Sequence, residues 1–110
     1  MSTETQEPPK YEWLIVAPDY ADVLEKRMAV RQSHFEGLQP GIKSGFWQMG
    51  GAFLSDVPKE GEPLKIIGSA MVALAATKEE VIERLKADVY NANGVWDLSK
   101  VQIYPFKWFR

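Results

Sequence analysis

The 110-residue chain contains no cysteine. That absence removes disulfides, thiolate nucleophiles and cysteine-type zinc sites together, and it fits a reducing compartment. There is one histidine, His34, so a histidine-rich metal site cannot be assembled within a single chain. An excess of charge of one sign is also missing. With 13 basic and 15 acidic residues mixed along the chain, the formal charge of -2 provides no footprint for nucleic-acid phosphates or anionic lipid. No apolar run approaches the roughly 20 residues that span a bilayer. The opening MSTETQEPPK has neither a positively charged start nor an apolar stretch of the kind a secretory leader carries. Nucleic acid and membrane are therefore not expected as partners, and the cytoplasm is the expected location. Residues 1–10 read as a disordered tail and 11–110 as one domain.

What the chain does have is apolar bulk, with 45% hydrophobic residues and four tryptophans. YEWLIVAP (11–18) is rich in aromatic and β-branched residues and closes on a proline, which predicts a strand with both faces covered. From Ala21 to about Lys43, the residues Leu24, Met28, Phe35, Leu38 and Ile42 recur at steps of three, four and seven, predicting one buried helical stripe. Pro40 should bend or end that helix unless only its last turn follows. FWQMGGAFL (46–54) reads as a second strand with a bulge or close approach at Gly50-Gly51. DVPKEGEP (56–63) is turn chemistry, and LKIIGSAMVALAA (64–76) is a long third strand. Thr77, with Glu80 three positions on, is a capping box that opens a second helix. Val81, Ile82, Leu85 and Val89 form its apolar face, and NANG (91–94) ends it. KVQIYPFKWF (100–109) is a last strand, which Pro105 places at an edge.

The order β-α-β-β-α-β predicts an α+β, ferredoxin-like sandwich: a four-stranded antiparallel sheet with two helices on one face. Two helices cover only one face, yet the strands are apolar on both. Trp13 and Ile15 oppose Leu14 and Val16, and Val101 and Ile103 oppose Tyr104, Phe106 and Trp108. Such a patch would exceed what a soluble monomer usually exposes. A second copy packing over the open sheet face is the simplest cover, so a homodimer is expected.

Phasing the two helices at about 100° per residue puts Arg31 near the middle of the first helix's buried stripe and His34 at its margin. On the second helix, Asp88 follows Leu85 by three and Val81 by seven, at the border of the buried face. The three could converge on a cleft between the helices. Histidine titrates nearest neutrality and can take and return a proton within one turnover. A carboxylate on its far nitrogen fixes the tautomer, and an arginine beside it can hold a substrate anion. Each residue also has a plainer reading. His34 can be a structural hydrogen-bonder, Arg31 can pair with Glu36 or extend past the stripe, and Asp88 can be a surface group near a helix end. An acid at that end would oppose the helix dipole and need compensation. The serines have no nucleophile context, and no phosphate-binding glycine pattern occurs.

The stretch RQSHFEGLQPGIKSGFWQMGGAF resembles the R-x-x-H-[hydrophobic]-x-x-L segment, with its following glycines, of the YciI-like (YCII-related) proteins. ATKEEVIERLKADVYNANGVWDLSKVQIYPFKWF is similar to that family's S-x-E-E-A and D-P-[FY] segments and its closing strand. The resemblance runs over residues 11–109. It implies a dimeric α+β barrel of ferredoxin-like subunits, related to muconolactone isomerases, with an active site built on one histidine and one aspartate. On that pattern the pair is His34 and Asp88, and Arg31 matches the family's arginine. Two departures stand out: Val89 replaces the proline after the aspartate, and the SDVPKEGEP loop is long. Chemistries understood in related proteins, dehydrochlorination of a chlorinated hydroxyquinol and isomerisation of muconolactone, move protons on small anionic, carbonyl or phenolic compounds.

The expected function is therefore a lyase or isomerase that needs neither cofactor nor metal and acts on such a metabolite. His34 would shuttle the proton, Asp88 would orient it, and Arg31, Gly51 and Tyr90 would contact substrate. The alternative is a non-catalytic dimeric module that binds a small ligand or a protein, with His34 structural.

Overall fold

The sheet forms where the runs of apolar, aromatic and β-branched residues placed it. In the computed structural model, which describes residues 7–110, the strands are β1 (Tyr11–Pro18), β2 (Trp47–Leu54), β3 (Ile66–Ala75) and β4 (Gln102–Phe106). All neighbours pair antiparallel in the order β2-β3-β1-β4, which puts β4, with its Pro105, at an edge. Of the expected tail, residues 1–6 lie outside the described residues, and 7–10 are exposed and belong to no helix or strand.

Three helices connect the strands: α1 (Leu24–Ser44), α2 (Lys78–Lys86) and the short α3 (Val89–Ala92). All pack on the sheet face that carries Ile15, Ala17, Met71, Ala73 and Ile103, closing a core with Val81, Leu85, Val95 and Trp96. Residues 12, 14, 16, 70, 72, 74, 104 and 106 pair across the ladder on the opposite face. There Leu14 and Val16 are only half-buried and Tyr104 is exposed, so β1 is covered on one face and not on both.

Helix α2 follows its sequence closely. The Thr77 hydroxyl accepts the Glu80 N–H at 3.2 Å, and Val81 and Leu85 are buried. Each buried aliphatic side chain contributes about 1.5–3 kcal/mol. The helix ends earlier than its pattern suggests, with Ala87 as C-cap. Asp88 therefore does not sit on α2. It is the N-cap of α3, its carboxylate accepting the Tyr90 N–H at 2.8 Å. A negative charge at this start of a helix is favourable, which reverses the dipole conflict expected at a helix end. Val89 occupies the first helical position, where a proline would lose no helical hydrogen bond, so the cap forms with either residue.

Helix α1 departs from expectation in a more informative way. It passes Pro40 because only one turn remains before Gly45, at φ 85, ends it. Its inward line is Arg27, His34 and Gly41, all buried, at a spacing of seven. Met28, Phe35 and Ile42 each follow an inward position by one residue, a rotation of about 100°. They remain 48%, 38% and 48% exposed, so the expected buried stripe is displaced to the flank of the helix. Likewise His34, expected at the margin, stands in the middle of the buried line, and Arg31, expected in the middle, is exposed. The reason is local complementarity: Arg27 and His34 find polar partners underneath, and Gly41 makes room for Trp47.

Gly50 and Gly51 do not form the expected bulge. They pair in register with Met71 and Ala70, and the shifts fall at Trp47/Met49 and Phe53/Leu54 instead. At the first of these, the Gln48 side chain turns back to donate to the Gly45 carbonyl.

Candidate active site between helix α1 and the sheet

The site starts from the turn that separates α2 from α3. Asp88 is held by its own cap, with Oδ1 taking the Tyr90 N–H, and the same oxygen lies 2.8 Å from His34 Nδ1. Both side chains are buried, at 7% and 8% exposure. With Nδ1–H donating to the carboxylate, the tautomer leaves Nε2 as the free nitrogen of the ring. Aromatic neighbours fix the ring plane: Tyr90 stacks on it at 3.8 Å and 12°, and Trp96 stands edge-on at 5.8 Å.

Beneath this pair lies a second polar group that the sequence did not point out. Arg27 donates to both carboxylate oxygens of Asp19, at 2.8 and 2.9 Å, and to Ser69 Oγ at 2.7 Å. Trp96 Nε1 also donates to Ser69 Oγ, at 3.0 Å. The Ser69 oxygen is thus taken up by two donors, which leaves it no role as a nucleophile. The Arg27 guanidinium lies 4.6 Å from the centre of the Tyr90 ring, a cation–π contact that continues the stack up to His34. The only sequence signal for Arg27 is its spacing of seven before His34 and of fourteen before Gly41.

A cavity of about 500 Å³ opens between α1 and the β2–β3 side of the sheet. His34, Tyr90 and Arg27 form its polar wall; Arg31 reaches it from the exposed side of α1, its guanidinium 4.8 Å from the Phe35 ring centre. Gly51 lines the β2 side. No hydrogen bond within the described residues engages His34 Nε2 or the Tyr90 hydroxyl, and no buried polar side-chain atom is sealed off without a partner. Both groups therefore stay accessible, and both residues line the cavity. Burial pushes the Tyr90 phenol above its ordinary range, with Arg27 and Arg31 pulling it back, so at neutral pH the hydroxyl is a proton-bearing donor. Burial likewise raises the Asp19 carboxyl, against the pull of Arg27.

His34, Asp88 and Tyr90 are thus brought into direct contact, with Arg31 and Gly51 on the walls of the same cavity. Such a site can hold a small molecule against an imidazole nitrogen, a phenol and a guanidinium. Among the described residues, no group of three or more His, Cys, Asp or Glu side chains is gathered where a metal ion could be held. No helix among them is long and apolar enough to cross a membrane.

Comparison with known proteins agrees with this architecture. The fold is shared with 5-chloro-2-hydroxyhydroquinone dehydrochlorinase from Burkholderia phenoliruptrix, solved in complex with 2,5-dihydroxybenzoquinone. The TM-score is 0.73 at 22% identity, over 87% of this chain and 93% of that one. Fusaric acid biosynthesis protein 2 of Gibberella fujikuroi is 34% identical over 107 residues, which covers 97% of this chain and 98% of the relative. The derivative of benzaldehyde biosynthesis cluster protein C of Emericella nidulans is 41% identical over 85 residues, covering 76% and 87%. The YCII-related domain matches residues 11–107, and the chain belongs to that family.

Proposed function

We propose that the protein is a lyase or isomerase that moves a proton on a small anionic carbonyl or phenolic metabolite without a cofactor. The observation that carries this reading is the buried 2.8 Å contact between His34 Nδ1 and Asp88, on a histidine that lines the cavity. In this reading Nε2 takes a proton from an acidic C–H or O–H of the substrate. It then returns that proton to a different position in an isomerisation, or to the departing group in an elimination. Asp88 holds the tautomer and stabilises the imidazolium while the proton is on the ring. Arg31 supplies positive charge for the substrate anion, and the Tyr90 hydroxyl donates to an oxygen of the same ring or carbonyl. Gly51 brings its backbone to the β2 wall beside that substrate.

Two comparisons support the substrate class. The relatives are named for the biosynthesis of fusaric acid and of a derivative of benzaldehyde, and the protein sharing the fold is named for a chlorinated hydroxyhydroquinone. The cytoplasm is the proposed location, on the strength of the cysteine-free composition. A second copy is the proposed cover for the open sheet face, where Leu14, Val16, Leu74, Tyr104 and Phe106 lie together; a standard interface buries about 800 Å² per partner.

The test is turnover of hydroxylated quinones, chlorinated hydroquinones and unsaturated lactones, with a pH–rate profile. His34→Gln should lower kcat/KM by about 10²–10⁴-fold per folded molecule. Equal turnover by the variant rejects the acid–base role. Ligand binding without turnover of any compound would point to the binding module instead.

A further inference from the structure

Helix α1 rests on the sheet at two points. Towards its start, Arg27 is tied to Ser69 on β3 by the 2.7 Å hydrogen bond. Towards its end, Gly41 lies against Trp47 so closely that an added Cβ would come within 2.5 Å of the indole Cδ1. The two supports are fourteen residues apart, about 21 Å along a helix axis. His34 sits midway. Between the supports the β2 floor facing the helix is Gly50 and Ala52, which pair with Met71 and Ser69. A Cβ placed on Gly50 would meet only Met71 Cγ, at 3.6 Å, so the space above it is open. The cavity is therefore a consequence of a helix held at both ends over a stretch of β2 whose helix-facing positions are a glycine and an alanine.

The walls are divided by chemistry. Arg27, Arg31 and His34 belong to the first part of α1, and Phe35, Leu38 and Ile42 follow in the second. His34 to Ile42 is eight residues, about 12 Å along the axis. A single hydroxylated ring held by His34, Arg31 and Tyr90 would leave that second part empty, with Phe35 and Ile42 still wet. At about 500 Å³ the cavity lies in the range that encloses a drug-sized ligand, roughly 300–1,000 Å³.

We propose that the substrate is amphiphilic: an anionic or phenolic ring at His34 and Tyr90, carrying an apolar arm of several carbons that lies along Leu38 and Ile42 over Gly50. This deepens the reading of the site as an acid–base centre and rests on it. The arm binds through burial alone, so it sets which ring compounds are accepted without touching the proton transfer. Gly50 is its specificity-determining position, because any larger side chain there fills the floor. The charge pattern favours a small molecule over a second copy as occupant, since one end of the cavity presents an imidazole, a phenol and an exposed arginine to a single anionic head.

The experiment is calorimetric titration of the full chain with 2-hydroxybenzoate and its 4-alkyl and 5-alkyl derivatives, from methyl to hexyl. Native mass spectrometry of each variant runs alongside. In one of the two series, affinity should rise about threefold to fourfold per added methylene, which is what about 0.8 kcal/mol per buried CH₂ converts to, and then level off. Gly50→Leu should flatten the rise. Ile42→Ser, at a half-exposed position that costs little stability, should reduce the slope independently of any effect of Gly50→Leu on folding. His34→Gln should weaken every member equally and preserve the slope.

A flat series that still depends on His34 overturns the arm and leaves the acid–base reading standing. A rising series indifferent to His34→Gln keeps the arm and overturns the head. Absence of binding by every member overturns both. If Ile42→Ser instead converts a dimer to a monomer, the apolar row belongs to a subunit contact and the proposal fails.

Discussion

Helices α1 and α2 lie on the same sheet face and solve opposite problems. In α2 the inward residues are Val81 and Leu85 and the outward ones are charged, so packing alone accounts for it. In α1 the inward residues are Arg27, His34 and Gly41, while Met28, Phe35 and Ile42 stay partly wet on the flank. A helix that buries an arginine and a histidine and leaves its apolar residues exposed gives up hydrophobic stabilisation. The buried groups are repaid by specific partners, Asp19 and Ser69 for Arg27 and Asp88 for His34. The comparison separates a helix that holds the fold from one that carries the candidate site.

The largest change in stability is expected at the polar support of α1. Arg27→Met strands the Asp19 carboxylate, which is 3% exposed, and should cost about 3–5 kcal/mol in urea unfolding. Adding Asp19→Leu should recover much of that loss. If the double variant regains stability but not turnover, the ion pair positions Tyr90 and His34 and is more than a structural tie.

Leu85→Ala should sharpen the contrast from the other side. Emptying this 1%-exposed position should cost about 2–5 kcal/mol, with kcat/KM per folded molecule unchanged. Loss of activity in the folded fraction would mean that α2 is not simply structural.

Gly41→Ala tests the second support. Intrinsic propensity favours alanine in a helix by roughly 1 kcal/mol, but the new Cβ would press on Trp47. A net destabilisation of about 1–3 kcal/mol in thermal unfolding is expected. A stabilised variant would show that α1 is free to lift from β2.

The smallest effect concerns Tyr90, whose phenol burial raises above its ordinary value of 10.0. Above that pH the unfolded chain has released this proton and the folded chain still holds it. The folded state is therefore favoured fully below pH 10.0 and loses ground as pH climbs towards the raised value. Tyr90→Phe should lessen the fall in urea midpoint between about pH 9 and about pH 11. An identical fall in both proteins would mean that the hydroxyl ionises as freely folded as unfolded.

Much of the fold was legible because apolar runs, turn residues and caps are local signals. β1 matches the predicted 11–18, the Thr77–Glu80 box opens α2, and Pro105 lies on an edge strand. The residues of the candidate site were legible as well, since His34 and Asp88 are each unusual for their surroundings. Their placement was less so. A hydrophobic count around a helical wheel put Phe35 inward and His34 at the margin, because such a count cannot know that partners wait below.

The amino-acid order by itself determined the element sequence, the apolar strands, the caps, and which imidazole and carboxylate were available for chemistry. The rotation of α1 was decided only in three dimensions, where Asp19, Ser69, Trp47 and Asp88, drawn from four separate segments, meet one helix. A charge or a ring is buried only when a distant group is there to satisfy it, and that match is made by tertiary contact alone.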